Sequence, residues 1–562
     1  MEASSPGGLS RRGFIAAAAA VAASPLLAAC GSSGGDKGPG TTGKDQLSQI
    51  LPNYIPNTSV KADIASITGA NGAISDQVFL AYPTNPIATV SGTPGKGGSY
   101  VTVTPLWGSI PPSSGNAYYA SVNKAMGATL KIQPSDGTNY QTTLPPLFAA
   151  SKLPDWINIP GWISSTGLNF GEAVSKFVDL SPYLAGDKVK AYPNLANIPS
   201  GAWAAGVWNA KLYGLPVYPS GSGFVGAYFY RKDVFAKLGI SPDSVKTADD
   251  LANLGKELTS AGAGQWAFDD LVGNDAAYIN QLFKFQSKWG VGSGGKLVHK
   301  YETDGIVEAL NWFAKQVKAG YVNPDTIAGT NQNGKQRFWS GKALIVSDGT
   351  GAFDGEDAKS GTAANPAYLR GAFNVFSFDG STPTIELGAG AGLFGYLNKK
   401  LSDAQIKECL ALANYIAAPY GSAEWLKVNY GDEGVDYTMT NGNPVLTSQG
   451  NKEVATTFQF LVTPPAVTTV KEGYTQVAKD YAAWQADAVK HAVKPVFYNM
   501  NVTEPSQYSS IGQAVQDTMK DVQYGRKPIS AYQDAVNTWR KQGGDALRTF
   551  YDGIRTKYGT GQ

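Results

Sequence analysis

Lys211 to Gly239, KLYGLPVYPSGSGFVGAYFYRKDVFAKLG, is the stretch around which the rest of the chain is arranged. Tyr213 to Val217 is a short apolar strand broken by Pro216. The run Ser220-Gly-Ser-Gly223 is flexible. Phe224 to Tyr230 is apolar and aromatic without the alternation of a surface strand, which fits a strand buried on both faces. Arg231-Lys-Asp233 ends it, and Val234, Phe235 and Leu238 start a short helix that Gly239 stops. Two buried strands joined by glycine and serine suit a chain leaving one α/β unit and entering another. The pattern predicts a hinge with a ligand beside it.

Upstream, Tyr100-Val-Thr-Val-Thr-Pro-Leu-Trp107 predicts a strand and Asn116 to Met126 a helix closed by Gly127. Thr129 to Gln133 predicts a second strand, Tyr140 to Ala150 a helix, and Asp155 to Ile159 a third strand running into Pro160-Gly-Trp162. Strand, helix, strand, helix, strand is the order of a parallel doubly wound sheet. Ligands of such sheets sit beyond the carboxyl ends of the strands, which puts Trp107 and Trp162 at the rim of a cleft.

Downstream, Thr247 with Asp250 has the form of a capping box, followed by a stripe of Leu251, Leu254 and Leu258. Thr303 is expected to cap a helix carrying Ile306, Leu310, Phe313 and Val317. Gly341 to Ser347 predicts a short buried strand that opens into the glycine-rich loop Asp348-Gly-Thr-Gly-Ala-Phe353. Gly388-Ala-Gly-Ala-Gly-Leu-Phe394 is a second flexible crossing. Ser402 with Gln405 opens another helix, Gly431 to Thr438 is a carboxylate-rich loop, and Ser530 with Gln533 starts a helix that Gly543-Gly544 breaks.

At 562 residues the chain exceeds one ordinary core. Charged residues make up 16%, and 46 basic side chains nearly cancel 44 acidic ones. With no basic patch or RNA motif, nucleic acid is not an expected partner. Two cysteines (Cys30, Cys409) and two histidines (His299, His491) are too few and too scattered for a zinc site or a Cys/His nucleophile. No metal and no cofactor is expected.

Residues 1–29 have the form of a signal peptide, with Arg11-Arg12 before an apolar run from Ala16 to Ala29. The paired arginines resemble a twin-arginine export signal, though Sec export stays open. Leu27-Ala-Ala-Cys30 resembles a bacterial lipobox, which implies cleavage before Cys30 and acylation of its sulfur; a plain signal peptide with a chance cysteine is the alternative. Residues 30–45 read as the lipidated Cys and a flexible tether, and 46–99 as an extended N-terminal arm.

Several pieces together resemble the extracellular solute-binding proteins of ABC importers, the large carbohydrate-type family, in its long alginate-binding-like branch. They are Leu212-Tyr-Gly-Leu-Pro216 with Tyr230-Arg-Lys-Asp233; Gly320-Tyr-Val-Asn-Pro-Asp325 with Phe338-Trp-Ser-Gly-Lys342; Tyr430-Gly-Asp-Glu-Gly-Val-Asp-Tyr437; and Gly525-Arg-Lys-Pro528 with Trp539-Arg540. The resemblance implies a two-lobed periplasmic-binding-protein-like α/β fold, with hinge strands and a ligand cleft between the lobes. It implies a membrane-anchored monomer on the extracellular face of the cell membrane. Such a protein captures an oligosaccharide by closure and delivers it to ABC permease subunits with a cytoplasmic ATPase. Residues 100–217 and 373–420 are assigned to lobe one and 218–372 and 421–500 to lobe two, and the lobe of the C-terminal helices of 501–562 stays open. Some relatives carry a calcium loop where this chain reads Thr259 to Asp270; the alternating Asp/Asn ligands are missing, so no calcium is expected there.

Sugars offer C–H faces and hydroxyls, so a binder needs flat aromatic faces and paired polar groups. Trp107, Trp162 and Tyr218 are the leading stacking candidates, ahead of Trp208 and Trp266; core or rim packing is the ordinary alternative for each. Asp348, Glu433 and Tyr437 are candidate hydroxyl partners, though Asp348 could cap the next turn and Glu433 be a solvated loop charge. Arg337 could meet an acidic sugar, though in Lys335-Gln-Arg337 a surface charge is the expectation, and Arg231 and Asp233 are expected as a pair or cap at the lobe surface. The chain is expected not to be an enzyme. An exported glycoside hydrolase would need two placed carboxylates that the sequence does not locate. A surface lipoprotein with a sensing or adhesion role shares every feature above. Which sugar is bound, or whether another polar solute such as a peptide takes its place, stays open.

Overall fold

The computed structural model describes residues 42–560 apart from 138, 164–167, 330–333 and 472. The signal peptide, Cys30 and most of the tether lie outside the described residues. In chain order the main strands are β1 (Ser99–Leu106), β2 (Thr129–Asp136), β3 (Trp156–Pro160), β4 (Leu215–Val217), β5 (Ala227–Arg231), β6 (Trp266–Phe268), β7 (Ala343–Asp348), β8 (Arg370–Ala372) and β9 (Leu393–Leu397).

They build two sheets, one per lobe. The first has the order β2-β1-β3-β9-β4, with β1 parallel to β2 and β3, and β9 antiparallel to β3 and β4. The parallel part is the expected βαβαβ unit, with helices Ala117–Met126 and Tyr140–Ala149 between the strands. Asn116 caps the first helix by accepting from the Tyr119 amide, and Gly127 ends it in the left-handed region. The second sheet has the order β6-β7-β5-β8; only β6 and β7 run parallel. β5 is buried along its whole length, as its unbroken apolar pattern predicts.

The helix Ala248–Leu258 starts in the expected capping box, and so does Asp403–Ile416. Two expected starts differ. Thr303 donates its hydroxyl to the Lys300 carbonyl instead of capping Asp304–Lys318. The helix Ile529–Trp539 begins after Pro528, whose fixed φ and missing N–H suit a helix start.

The core of the first lobe runs from Tyr100 to Leu215 and returns from Ala391 to Val462. A second core runs from Tyr228 to Tyr551 and takes in the C-terminal helices through Met519, Trp539 and Leu547. The packing differs from the sequence division at two places. Val428, Phe458, Leu461 and Val462 are buried in the first lobe, and Phe373 and Phe376 in the second. The chain therefore crosses a third time, through Thr463-Pro-Pro-Ala466. Prolines rather than glycines mark that crossing, so a search for flexible joints passes over it.

The three crossings lie side by side. The Tyr218 amide donates to Thr463 Oγ1 at 2.6 Å, the Ala466 amide to the Pro219 carbonyl at 2.7 Å, and the Ser220 amide to the Gly390 carbonyl at 3.0 Å. Gly223 pairs with Gly388, and a Cβ on Gly223 would lie 2.7 Å from the Ala389 oxygen. Only glycine allows that approach.

The arm touches both lobes. Asn53 Nδ2 donates to Asp187 at 2.7 Å on lobe one, and Asn71 Nδ2 to the Ala492 carbonyl at 2.7 Å on the lobe-two side. It then pairs Val78 with Thr468 and returns to lobe one, where Tyr82 donates to the Ser422 carbonyl.

Candidate functional site

A cleft of 710 Å³ opens beside the crossings. Residues of the crossings line it, among them Ser220, Ser222, Gly223, Val225, Gly388 and Ala389. Trp162, Tyr218 and Ala391 line it from the first lobe, and Thr350, Phe353 and Tyr481 from the second.

Trp162 follows the end of β3, where the Gly161 amide donates to the Gly392 carbonyl at 2.9 Å. Its indole is 44% exposed, and Nε1 donates to Gln141 Oε1 at 2.8 Å, which fixes the plane of the ring. Tyr218 is also 44% exposed and sits at φ 50°, a conformation uncommon for a residue with a Cβ. Such outliers concentrate at functional sites. Its ring stands edge-on to Phe460 at 5.8 Å.

The other sequence candidates lie outside the described cleft lining. Trp107 is 52% exposed, packed over the Gly137 backbone and 5.5 Å from Phe460, so it stands one ring behind Tyr218. Asp348 ends β7, accepts the Gly349 amide at 2.8 Å and faces Arg370 at 3.8 Å and Lys335 at 4.0 Å. It organises the glycine-rich loop, and its neighbours Thr350, Gly351 and Phe353 reach the cleft. Glu433 is exposed in the loop ahead of a hairpin. Tyr437 is buried against Tyr430 at 5.9 Å, and burial pushes its hydroxyl up to about 12. That loop clamps lobe one through Asp432, which pairs with Lys427 and accepts from Ser121. Trp208 packs edge-on against Phe170, and Trp266 sits in β6.

Two arginines read from sequence as surface groups are buried. Arg337 is buried, not a surface charge: its guanidinium donates to Asp269 from Nε at 2.6 Å and from Nη2 at 2.9 Å. Arg231 is fully buried and makes a bidentate pair with Asp233. Buried arginines need such forks, because an unpaired charge inside a lobe is very costly.

Sequence reasoning missed most of the far wall. Phe353 and Tyr481 meet at 5.3 Å, and Tyr481 stacks on Trp484 at 6.1 Å. The stripe Val477, Ala478, Tyr481 and Gln485 on helix Thr475–Ala488, with Tyr474 just ahead of it, carried that signal, but a helical stripe reads first as core. The arm supplies a further missed residue, Asp76. Its amide donates to Gln485 Oε1 at 2.8 Å, and its Oδ2 accepts from Gln485 Nε2 at 3.0 Å and Thr468 Oγ1 at 3.4 Å. Burial pushes the Asp76 carboxyl up to about 6, and those two donors hold it back only in part. Cys409 and His299 lie in the cores, and burial holds the His299 imidazole neutral. Aromatic faces, hydroxyls and open backbone groups equip the cleft to hold a polar, flat-faced solute.

A family model described as bacterial extracellular solute-binding protein matches residues 111–404. The polygalacturonan/rhamnogalacturonan-binding protein YtcQ of Bacillus subtilis is 22% identical over 417 residues, 70% of this chain and 80% of that one. An uncharacterized ABC transporter extracellular-binding protein of Pyrococcus horikoshii is 24% identical over 218 residues, which span 37% of this chain and 45% of that relative's length. The crystal structure of the alginate-binding protein AlgQ2 without calcium ion superposes with a TM-score of 0.53 at 14% identity, covering 83% of this chain and 98% of the other.

Proposed function

The chain belongs to the bacterial extracellular solute-binding protein family, and from that premise we propose that it captures an oligosaccharide by lobe closure and delivers it to an ABC transporter permease driven by a cytoplasmic ATPase. The observation that carries this reading is the cleft at the three crossings, with Trp162 and Tyr218 on one side and Phe353 and Tyr481 on the other. A sugar ring between such walls loses water from its C–H faces while its hydroxyls find polar partners. Closure follows if the ligand contacts both lobes, because its preference for the closed form shifts the equilibrium.

In this reading Trp162 and Tyr218 touch the ligand. Trp107 supports Tyr218 through Phe460, and Asp348 holds the loop that carries Thr350 and Phe353. Glu433 and Tyr437 lie in the segment that Asp432 ties to lobe one. The lipobox at Cys30 would anchor the protein to the outer face of the cell membrane, and the twin arginines would export it.

The test is an oligosaccharide panel against the chain from Gly31 onward, which keeps the whole compact unit from Gly38. A rise in melting temperature with the sugar recovered intact is expected. New reducing ends would replace this reading with a hydrolase. Trp162→Ala should weaken binding about tenfold or more without lowering the melting temperature, the scale of one lost aromatic face. Unchanged affinity in that variant would remove Trp162 from the site.

A further inference from the structure

The charged groups on the cleft wall are few. Among the described lining residues they are Asp76, Asp354 and Lys471. Lys471 Nζ lies 3.8 Å from Asp354 Oδ2, so those two offset one another. No lysine or arginine among the described residues pairs with Asp76. Its two side-chain donors, Gln485 and Thr468, both go to Oδ2, and no described donor goes to Oδ1. The carboxylate is nonetheless held firmly. The Asp76 amide and the Gln485 side chain bond reciprocally, and the arm is pinned on either side by the Ile74 amide on Ser222 Oγ at 2.6 Å and by the Val78–Thr468 pairing. The described lining thus carries one negative charge with no described cationic partner, on a fixed side chain whose Oδ1 receives no described donor.

We infer that the cleft takes uncharged or amino-bearing oligosaccharides and discriminates against uronic ones, with the Asp76 carboxylate as the deciding group. The inference rests on the saccharide-binding reading above and names the substrate class within it. Oδ1 accepts from a sugar hydroxyl or from a protonated amine. A ligand carboxylate in the same place meets a like charge that cannot move away, and closure would remove the water that screens the two. The arm, outside both lobe sheets, thereby supplies the selective group. Lys471 does not cancel the effect, because Asp354 already engages it.

The experiment measures affinity by calorimetry at neutral pH for the chain from Gly31 onward and for Asp76→Asn. The probes are gluco-, galacto-, manno- and xylo-configured oligosaccharides of matched length. Each hexose set is paired with its uronic counterpart, and a glucosamine oligomer is added. In the parent protein a neutral or amino probe should bind at least about tenfold tighter than its uronic counterpart. In Asp76→Asn the gap should shrink to about threefold or less, with the amino probe losing most. Uronic probes that bind as tightly as their neutral counterparts would overturn the charge selection and leave the saccharide reading intact. A gap unchanged in Asp76→Asn would overturn the role of Asp76. Failure of every saccharide, whatever its charge, would overturn the function itself. Asp76→Asn keeps an acceptor for Gln485, and circular dichroism of both proteins separates lost selectivity from lost fold.

Discussion

Asp269 and Asp76 are both carboxylates drawn away from bulk water, and they are held in opposite ways. Asp269 sits inside the second lobe under a bidentate guanidinium from Arg337, with the Thr326 hydroxyl at 2.7 Å and the Asp270 amide at 2.9 Å as further donors. Asp76 sits on the cleft wall with a neutral amide and a hydroxyl as its side-chain donors. A carboxylate inside a lobe is tolerated because its charge and all its acceptor capacity are answered by the protein. One on the cleft wall is left partly unanswered, and a ligand can complete it. The same residue type is scaffold in the first setting and recognition in the second, and the difference lies in the partners.

Removing Arg337 should break this contrast most severely. Arg337→Met leaves Asp269 charged and buried with only the Thr326 hydroxyl and the Asp270 amide, and should cost about 3–5 kcal/mol of stability in urea denaturation. A loss under about 1 kcal/mol would mean that water reaches Asp269 and the two sites are not opposites.

Asp76→Asn should act in the other direction. The ordinary carboxyl value is 3.8 and the folded value about 6, so the folded protein keeps a proton that the unfolded chain has already lost. The contribution of Asp76 to stability therefore falls as pH rises from about 4 to about 6, and stays at its lowest above that window. Asparagine removes this dependence. The variant should be more stable than the parent near pH 7.5 by on the order of 1–3 kcal/mol, with the advantage fading toward about pH 4. An equal difference at both ends would show that the gain has nothing to do with the charge. A site residue that stabilises the protein when neutralised is expected where function is kept at some cost to stability.

The smallest effect belongs to a carboxylate that is neither scaffold nor wall. Glu433→Gln should change stability by less than about 0.5 kcal/mol and leave saccharide affinity unchanged. A clear loss of affinity would return Glu433 to the site and show that the loop 431–437 reaches the ligand in the closed form.

Much of the scaffold was legible in the residues, because local chemistry decides it. The capping boxes at Thr247 and Ser402, the left-handed stops at Gly127 and Gly239, and the unbroken apolar run of β5 depend on near neighbours. The glycines at the first two crossings were legible as flexible runs, although the close backbone approach they permit, Gly223 against Gly388 and Ala389, is long-range. Trp162 and Tyr218 could be singled out because each follows a strand or lies on a crossing. Asp348 stands two residues before Thr350, which reaches the cleft, and Arg370 lies beside its carboxylate. Arg337 was misread entirely, because its partner lies 68 residues away.

By itself the sequence determined the two α/β lobes, the joints between them and the aromatic supply from which a cleft could be made. These follow from periodicity, turn chemistry and backbone sterics, which act over a few residues. Only the tertiary structure decided which aromatics face each other, that a proline-marked third crossing completes the hinge, and that the arm brings Asp76 to the wall. Asp76 and Gln485 stand 409 residues apart in sequence, and their bond exists only because the folded lobes bring arm and helix together. The charge that a ligand meets is the sum over all such approaches, and no local pattern encodes it.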